Sequence, residues 1–344
     1  MLTPVRGFSL EPPASEVEFL RRELSIQWSR VTQEELLSHV STAGRTLVLM
    51  SEPEPYRSIV EQAPAGSIVC LMISDEAYSL DRLTIAKQPA IYRVYRHYPC
   101  RPASWGRIAS TAAGYVRDSR GTSQRARTIV PNMRSGMRVR TRMKHWQNIE
   151  RKVTAIPLGY TDTFAHAFAQ RFSLPSNASV FADDPTNTVN RDRSVVFRGN
   201  RGLAQRIVGI ERAKKALGSE ITLIDADWSA RADSDVSAAY VDSLIAARFA
   251  LCPPGFANNE SFRFYETLAC GALPIEVSAA STHLGELPWR NAGSITKSSW
   301  TEGLREAESV SETERRERVT SARTLVVEAL GNAAQSIRDD LEIA

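Results

Sequence analysis

Cysteine is scarce in this sequence, and long apolar runs are absent. Four cysteines (Cys70, Cys100, Cys252, Cys270) among 344 residues are too few for a disulfide framework, and their spacing is not that of a metal site. No apolar run approaches the ~18 residues of a membrane-spanning helix. The N-terminal charges are followed by no apolar stretch, so we expect no secretory signal. We expect a cytoplasmic protein, with peripheral association at the inner face of a membrane as an option.

The composition is that of an ordinary soluble chain. Hydrophobic residues make up 42% and charged residues 24%, and the length has room for two domains of roughly 150 residues. Lys and Arg number 43 against 39 Asp and Glu, a formal net charge of +4. This excess is too small for an obligate nucleic-acid-binding protein, so we expect no nucleic acid as partner.

Apolar runs of strand length alternate with segments of helical periodicity. Such alternation predicts an α/β fold with parallel sheets joined by right-handed crossovers. Within it, 16–30 is predicted as one helix after a polar start, and 173–194 loses all periodicity. The predicted domains are an N-terminal, acceptor-side Rossmann-like domain (1–170), a linker (171–193), a C-terminal nucleotide-sugar-binding Rossmann-like domain (194–312) and a helical segment (313–344) that packs back on the N-terminal domain.

The most informative segment is 248–277, where an apolar strand, a Pro-Pro-Gly end, a polar turn and a helix follow one another. A strand-to-helix turn in a parallel sheet lies at the carboxyl edge, where ligands bind and where helix N–H groups suit a phosphate. Arg263 would face an anion, and Glu266 could accept hydrogen bonds from ribose hydroxyls. The alternative is a surface Arg–Glu pair. The candidate donor-binding residues here are Gly255, Asn258, Asn259, Ser261, Arg263 and Glu266.

A second glycine-bearing loop follows the strand at 194–199. Arg198 and Arg201 lie at the same predicted edge of the sheet, where two guanidiniums could bind a diphosphate and stabilise leaving-group charge. The alternative is a solvated basic turn.

These segments resemble the nucleotide-sugar-binding motif of exostosin-like glycosyltransferases, including the ribitol-xylosyltransferase-like branch. The matching residues are Arg248-Phe249, Leu251-Cys252-Pro253, Gly255, Arg263, Glu266, Gly271 and Pro274, while Glu276 departs from a fully apolar run. Weaker matches are Arg96-His97-Tyr98, Ile156-Pro157-Leu158-Gly159-Tyr160 and Phe197-Arg198-Gly199. The resemblance implies a GT-B fold, with two Rossmann-like domains facing a central cleft. It further implies inverting transfer from a nucleotide sugar, for which we expect a UDP-sugar, without a metal or other cofactor.

An inverting transfer needs a general base for the acceptor hydroxyl. Asp75 and Glu76 end one predicted strand, and crowded carboxylates raise one pKa. His97, near the end of another strand, titrates near neutrality. The alternatives are a helix cap for the first pair and a packing histidine for the second.

A basic segment, 117–144, predicts an anionic glycan or glycolipid acceptor, unless it is only a solvated face. The candidate acceptor-binding residues are Arg96, Tyr98, Arg138, Arg140 and Arg142. Taken with the resemblance, we expect a glycosyltransferase of surface polysaccharide synthesis that acts on a glycan or phosphoglycan. The alternatives are a non-catalytic glycan-binding protein of this fold, or a retaining transferase or epimerase on the GT-B architecture.

Overall fold

The computed structural model describes residues 4–11, 16–42, 44–73, 82–97, 149, 151–175, 177–182, 191–199, 204–215, 219–223, 234–253, 261–277, 289 and 293–342. Two compact units divide these residues. The first takes those within Met1–Cys100, Arg142–Pro157 and Glu328–Ala344, and the second those within Leu158–Val327. The predicted domain borders stay predictions.

The first unit is built on a six-stranded parallel sheet in the order β2-β1-β3-β4-β5-β6. Its strands are β1 Val5–Ser9, β2 Ile26–Arg30, β3 Thr46–Met50, β4 Ile68–Met72, β5 Ile91–Arg96 and β6 Val153–Ala155. Its helices are α1 Val17–Glu23, α2 Gln33–Thr42 and α3 Arg57–Gln62, with 3-10 turns at Glu54–Tyr56 and Arg82–Lys87. Every residue of β3 and β4 is buried, as expected of central strands covered on both faces.

The prediction of one helix over 16–30 is wrong. The helix ends after Glu23, Ser25 adopts a left-handed conformation with φ of 54°, and Ile26–Arg30 forms edge strand β2. The polar start also contains strand β1, which the sequence analysis missed. Both strands are short and only partly apolar, so their period-2 pattern was too weak to compete with the helical periodicity of 17–23.

The second unit contains a five-stranded parallel sheet in the order β11-β10-β9-β7-β8. Its strands are β7 Arg193–Gly199, β8 Ser219–Leu223, β9 Ala247–Leu251, β10 Leu273–Val277 and β11 Ile295–Lys297. Its helices are α4 Asp162–Phe172, α5 Ala204–Ala213, α6 Ser234–Ala246, α7 Phe262–Ala269 and α8 Trp300–Ser309. A last helix, α9 Glu312–Asp340, belongs to this unit through Val327 and to the first unit beyond it.

Both sheets have the same strand order when numbered from their own first strand. The second strand lies on one side of the first strand and the third strand lies on the other, so the chain changes direction across the sheet there. In open α/β sheets, ligands bind at this switch point, outside the carboxyl ends of the strands. The switch points are β1/β3 in the first unit and β7/β9 in the second. The prediction of an α/β fold with parallel sheets is confirmed. No helix in the described part of the chain is both long and apolar enough to cross a bilayer.

Candidate functional site

The switch point of the second sheet brings together two of the segments that the sequence analysis selected. Strand β7 ends at Gly199 and β9 at Leu251, and the two strands are hydrogen-bonded neighbours. Helix α7, which follows β9 in the chain, begins at Phe262 after Ser261. Arg198 and Arg263 therefore belong to elements of the same edge, as predicted.

Arg263 lies directly against the end of β7. A Cβ atom placed on Gly199 would be 2.5 Å from Nη2 of Arg263, so the guanidinium occupies the space that a side chain at position 199 would need. The Cζ atom of Arg263 is 5.3 Å from the centroid of the Phe197 ring, within the range of a cation–π contact. The missing side chain at Gly199 and the ring of Phe197 together determine where this cation lies.

Several donors at this edge have no hydrogen-bond partner in the described part of the chain. The Nε atoms of Arg198 and Arg263 and the Oγ of Ser261 are buried without a hydrogen-bond partner among the described residues. Ser261 precedes α7 and its side chain makes no capping bond, so the first N–H groups of the helix are not satisfied by it. Buried polar groups are normally hydrogen-bonded, and these donors together with the positive helix end suit an anion.

Glu266 is buried, with 4% of its surface exposed, so the alternative of a surface Arg–Glu pair does not hold. Its Oε1 accepts hydrogen bonds from the main-chain N–H (3.3 Å) and the hydroxyl (2.9 Å) of Thr161, and its Oε2 accepts one from the Tyr240 hydroxyl at 2.8 Å. Burial, followed by the charge of Glu266, raises the pKa of Tyr240 well above its ordinary value. A carboxylate has about four acceptor sites, so a ligand could use those that remain.

The C-terminal end of α7 is held by three buried arginines. The carbonyl oxygens of residues 268–271 all accept from guanidinium groups at 2.7–3.0 Å: Arg323 binds the first two, Arg191 the third and Arg315 the fourth. The last carbonyls of a helix have no partner within it, and cations there complement its dipole. These contacts fix the helix that carries Arg263 and Glu266.

Glu276 does not interrupt β10. The strand runs to Val277, and the Glu276 side chain is buried and accepts a hydrogen bond from Ser294 Oγ at 3.5 Å.

His97 and Arg96 are fully buried in the first unit. His97 Nδ1 is 3.0 Å from the carbonyl oxygen of Pro157, and its ring lies 6.1 Å from that of Phe19. Burial is the main cause that lowers the pKa of His97 to about 4. The hydrogen bond with Pro157 raises this pKa in part, and the charge of Arg96 lowers it further. This setting favours the packing alternative for His97, and burial of Arg96 favours a structural role for that residue too. Their catalytic and acceptor-binding roles stay predictions.

The remaining predicted site residues lie outside the described residues. They are Asp75, Glu76, Tyr98, Arg138, Arg140, Arg142, Arg201, Gly255, Asn258 and Asn259. Within the described part of the chain, no three His, Cys, Asp or Glu side chains are grouped as a metal site.

Sequence reasoning missed Thr161 and Tyr240, the partners of Glu266. They lie 105 and 26 residues from it in the chain, and no local motif marks them. Thr161 does carry one signal, since a threonine before Asp162 is a typical helix N-cap, and its Oγ accepts from Phe164 N.

A comparison with protein families found a match to part of the chain. Residues 204–287 match the family model of the RXYLT1 C-terminal domain, a stretch that includes α5, α6, β9, α7 and β10. No curated protein matches the chain. The matched stretch contains Ser261, Arg263 and Glu266, the helical part of the edge described above, and suggests a glycosyltransferase. The match supports a likeness of residues 204–287 to the ribitol-xylosyltransferase-like, exostosin-like family of glycosyltransferases.

Proposed function

We propose that the chain is an inverting, metal-independent GT-B glycosyltransferase that transfers a sugar from a nucleotide sugar, a UDP-sugar, to a glycan or phosphoglycan acceptor. The observation that carries the proposal is the set of donors at the β7/β9 switch point that are buried without a partner among the described residues. We further propose an anionic glycan or glycolipid as acceptor, surface polysaccharide synthesis as the setting and the cytoplasm, at the inner face of a membrane, as the location.

The diphosphate is the part of the donor that this edge can bind best. Arg263 and Arg198 supply guanidiniums, which bind phosphate oxygens in pairs, and the start of α7 supplies main-chain N–H groups. Arg201, Gly255, Asn258 and Asn259, which lie outside the described residues, are proposed to complete the donor site. Charge that develops on the departing diphosphate would be stabilised by these fixed cations, the role that a divalent metal fills in other enzymes.

Glu266 would accept hydrogen bonds from the ribose hydroxyls of the same donor. Thr161 and Tyr240 hold its two oxygens in place, so a ligand would meet a carboxylate that is already oriented. Preorganised acceptors bind more tightly because no side-chain freedom is lost at the moment of binding.

The chemical step needs one proton acceptor. The acceptor oxygen attacks C1 of the sugar, the bond between C1 and the diphosphate oxygen breaks, and the hydroxyl proton passes to the base. We propose Asp75 or Glu76 for this role ahead of His97, because burial makes the His97 imidazole a weak base.

The donor assignment is tested by calorimetric titration of UDP and of UDP-sugars into the wild-type chain and Arg263→Ala. A charge-assisted hydrogen bond contributes about 1.5–3 kcal/mol, so the Kd should increase about 10- to 100-fold. Arg305→Ala, which removes an exposed arginine of α8, is the matched control and should bind like the wild type. Equal affinity in Arg263→Ala would contradict the donor site.

Inversion is tested separately by the anomeric configuration of the product in NMR spectra. A retained configuration would overturn the inverting mechanism while leaving the donor site intact. Activity that survives EDTA is expected for a metal-independent enzyme.

A further inference from the structure

We propose that Phe197 is a positioning residue for donor binding, whose buried ring orients the Arg263 guanidinium without using any of the N–H groups that would bind the diphosphate. The inference rests on the proposed function, since a diphosphate is the ligand that Arg263 would meet. It deepens that function by giving a role to a side chain that is not itself proposed to touch the donor.

The geometry of β7 brings the ring and the cation together. Phe197 and Gly199 are two residues apart on this strand, so both positions face the same side of the sheet. Arg263, in the first turn of α7, lies on that side: its Cζ is 5.3 Å from the centroid of the Phe197 ring. A Cβ on Gly199 would lie 2.5 Å from Nη2 of Arg263 and 3.4 Å from Cζ of Phe197. The empty glycine position therefore lets the guanidinium approach the ring.

The ring itself is fixed. Only 2% of the Phe197 surface is exposed, and its strand is hydrogen-bonded to β8 on one side and to β9 on the other. Side chains in a close-packed interior are held in one rotamer, so the face of the ring cannot turn away from the cation. A guanidinium within about 6 Å of such a face is attracted by its negative potential.

The ring also stands where a carboxylate is the more common partner of an arginine. Among the described residues, Arg263 forms no ion pair, and its buried Nε has no hydrogen-bond partner. Glu266, the carboxylate of the same helix, accepts instead from Thr161 and Tyr240. A carboxylate would bind two N–H groups of a guanidinium, whereas an aromatic face binds none of them. The aromatic contact thus orients the cation and leaves its donors for phosphate oxygens.

Orientation before binding should increase affinity. A long, flexible side chain loses rotamer freedom when it binds a ligand, and this loss opposes binding. A guanidinium that already rests on the Phe197 ring has lost most of that freedom in the free protein. Removal of the ring should therefore weaken the binding of a diphosphate even though Arg263 is still present.

The test is calorimetric titration of UDP into the wild-type chain and Phe197→Leu. Leucine is apolar but has no aromatic face, so we expect the Kd to increase about 3- to 10-fold, as for loss of a partly buried cation–π contact. Difluorophenylalanine at this position keeps the ring and weakens its negative face, so it should give an intermediate Kd. Added to Arg263→Ala, Phe197→Leu should have no further effect, because the cation is already absent.

Phe168→Leu is the matched control. Phe168 is a fully buried phenylalanine of α4 in the same unit, and its ring packs on those of Phe164 and Phe172. This substitution should lower the melting temperature, as Phe197→Leu does, but should leave the Kd for UDP unchanged.

Three results would each overturn the role of Phe197 and leave the donor site intact. They are wild-type affinity in Phe197→Leu, wild-type affinity with difluorophenylalanine when Phe197→Leu binds weakly, and an undiminished effect of Phe197→Leu in the Arg263→Ala background. Failure of UDP to bind the wild-type chain is a different outcome, since it would contradict the donor site and the role of Phe197 with it.

Discussion

Glu266 accepts two hydrogen bonds from Thr161, one from the main-chain N–H and one from the hydroxyl of the threonine. Thr161 is also the N-cap of α4, where its Oγ accepts from the N–H of Phe164. One carboxylate on α7 therefore fixes the start of another helix of the same unit. A residue selected for ligand binding thus has a structural role as well, and the two roles can be separated by choice of substitution.

Replacement of Glu266 should lower the stability of the second unit. Glu266→Ala leaves three buried donors on Thr161 and Tyr240 without their acceptor, and an unsatisfied donor costs about 1–3 kcal/mol. We expect a decrease of about 2–4 kcal/mol in the free energy of unfolding, measured in urea. Tyr240→Phe removes one hydrogen bond to the carboxylate and leaves the charge, so it should cost about 1.5–3 kcal/mol. Wild-type stability in Glu266→Ala would show that these bonds contribute nothing.

Gly199→Ala should weaken donor binding through Arg263. The added Cβ would lie 2.5 Å from Nη2, the end of the arginine side chain, so the guanidinium would shift, and the φ of 158° at Gly199 means that the substitution strains the backbone as well. We expect the Kd for UDP to increase by about 3- to 10-fold, which is less than the increase expected when Arg263→Ala removes the charged contact altogether. The check is a double-mutant cycle: added to Arg263→Ala, Gly199→Ala should have no further effect. Additive losses would mean that Gly199 acts independently of Arg263.

His97 should make the folded chain less stable in mild acid. Its pKa is about 4 when folded and near its ordinary 6.5 when unfolded, so between these values the unfolded chain binds a proton that the folded chain does not. The contribution of the neutral His97 to the free energy of unfolding is fully present above pH 6.5 and decreases as the pH falls toward 4. Between pH 7 and about pH 5 the loss should be about 2 kcal/mol.

Urea unfolding at these two pH values measures this effect. His97→Gln, which has no titrating ring, should lose about 2 kcal/mol less than the wild type over the interval. An identical pH dependence in wild type and His97→Gln would contradict the buried neutral imidazole.

Arg323→Met should destabilise the end of α7. The substitution keeps much of the side-chain volume but leaves the carbonyl oxygens of Leu268, Ala269 and Phe181 without this donor. We expect a loss of about 1–3 kcal/mol, which would lower the melting temperature by several degrees. Arg305→Met, at an exposed position, is the control. A melting temperature that is unchanged in Arg323→Met would show that water replaces the guanidinium at no cost.

The parts of the fold that depend on local pattern could be predicted. The strands β3, β4, β7, β9 and β10 each contain a short apolar run, and α7 lies between a polar segment and Gly271, so each was assigned from its own residues. Strand β2 could not be predicted in the same way. Its pairing with β1 supplies the stabilisation that Ile26–Arg30 lacks locally, and the left-handed Ser25 that separates it from α1 is not a glycine.

The candidate site likewise has residues that local sequence predicts and contacts that it does not. Arg198, Ser261, Arg263 and Glu266 could be selected because each lies at the end of, or shortly after, a strand of recognisable composition. The contact of Arg263 with Gly199, and the contacts of Glu266 with Thr161 and Tyr240, join segments that are distant in the chain. Strand order brings Gly199 to Arg263, and helix packing brings Thr161 and Tyr240 to Glu266, and one sequence determines neither.

The three arginines at the end of α7 have a consequence for biosynthesis. Arg191 emerges from the ribosome before the helix, but Arg315 and Arg323 follow it by more than 40 residues. A nascent chain that has been translated only through β10 therefore exposes carbonyl groups that must bind water until α9 is made. A product that terminates before Arg315 would lack two of the three arginines that bind these carbonyl groups, a defect that quality-control proteases could recognise.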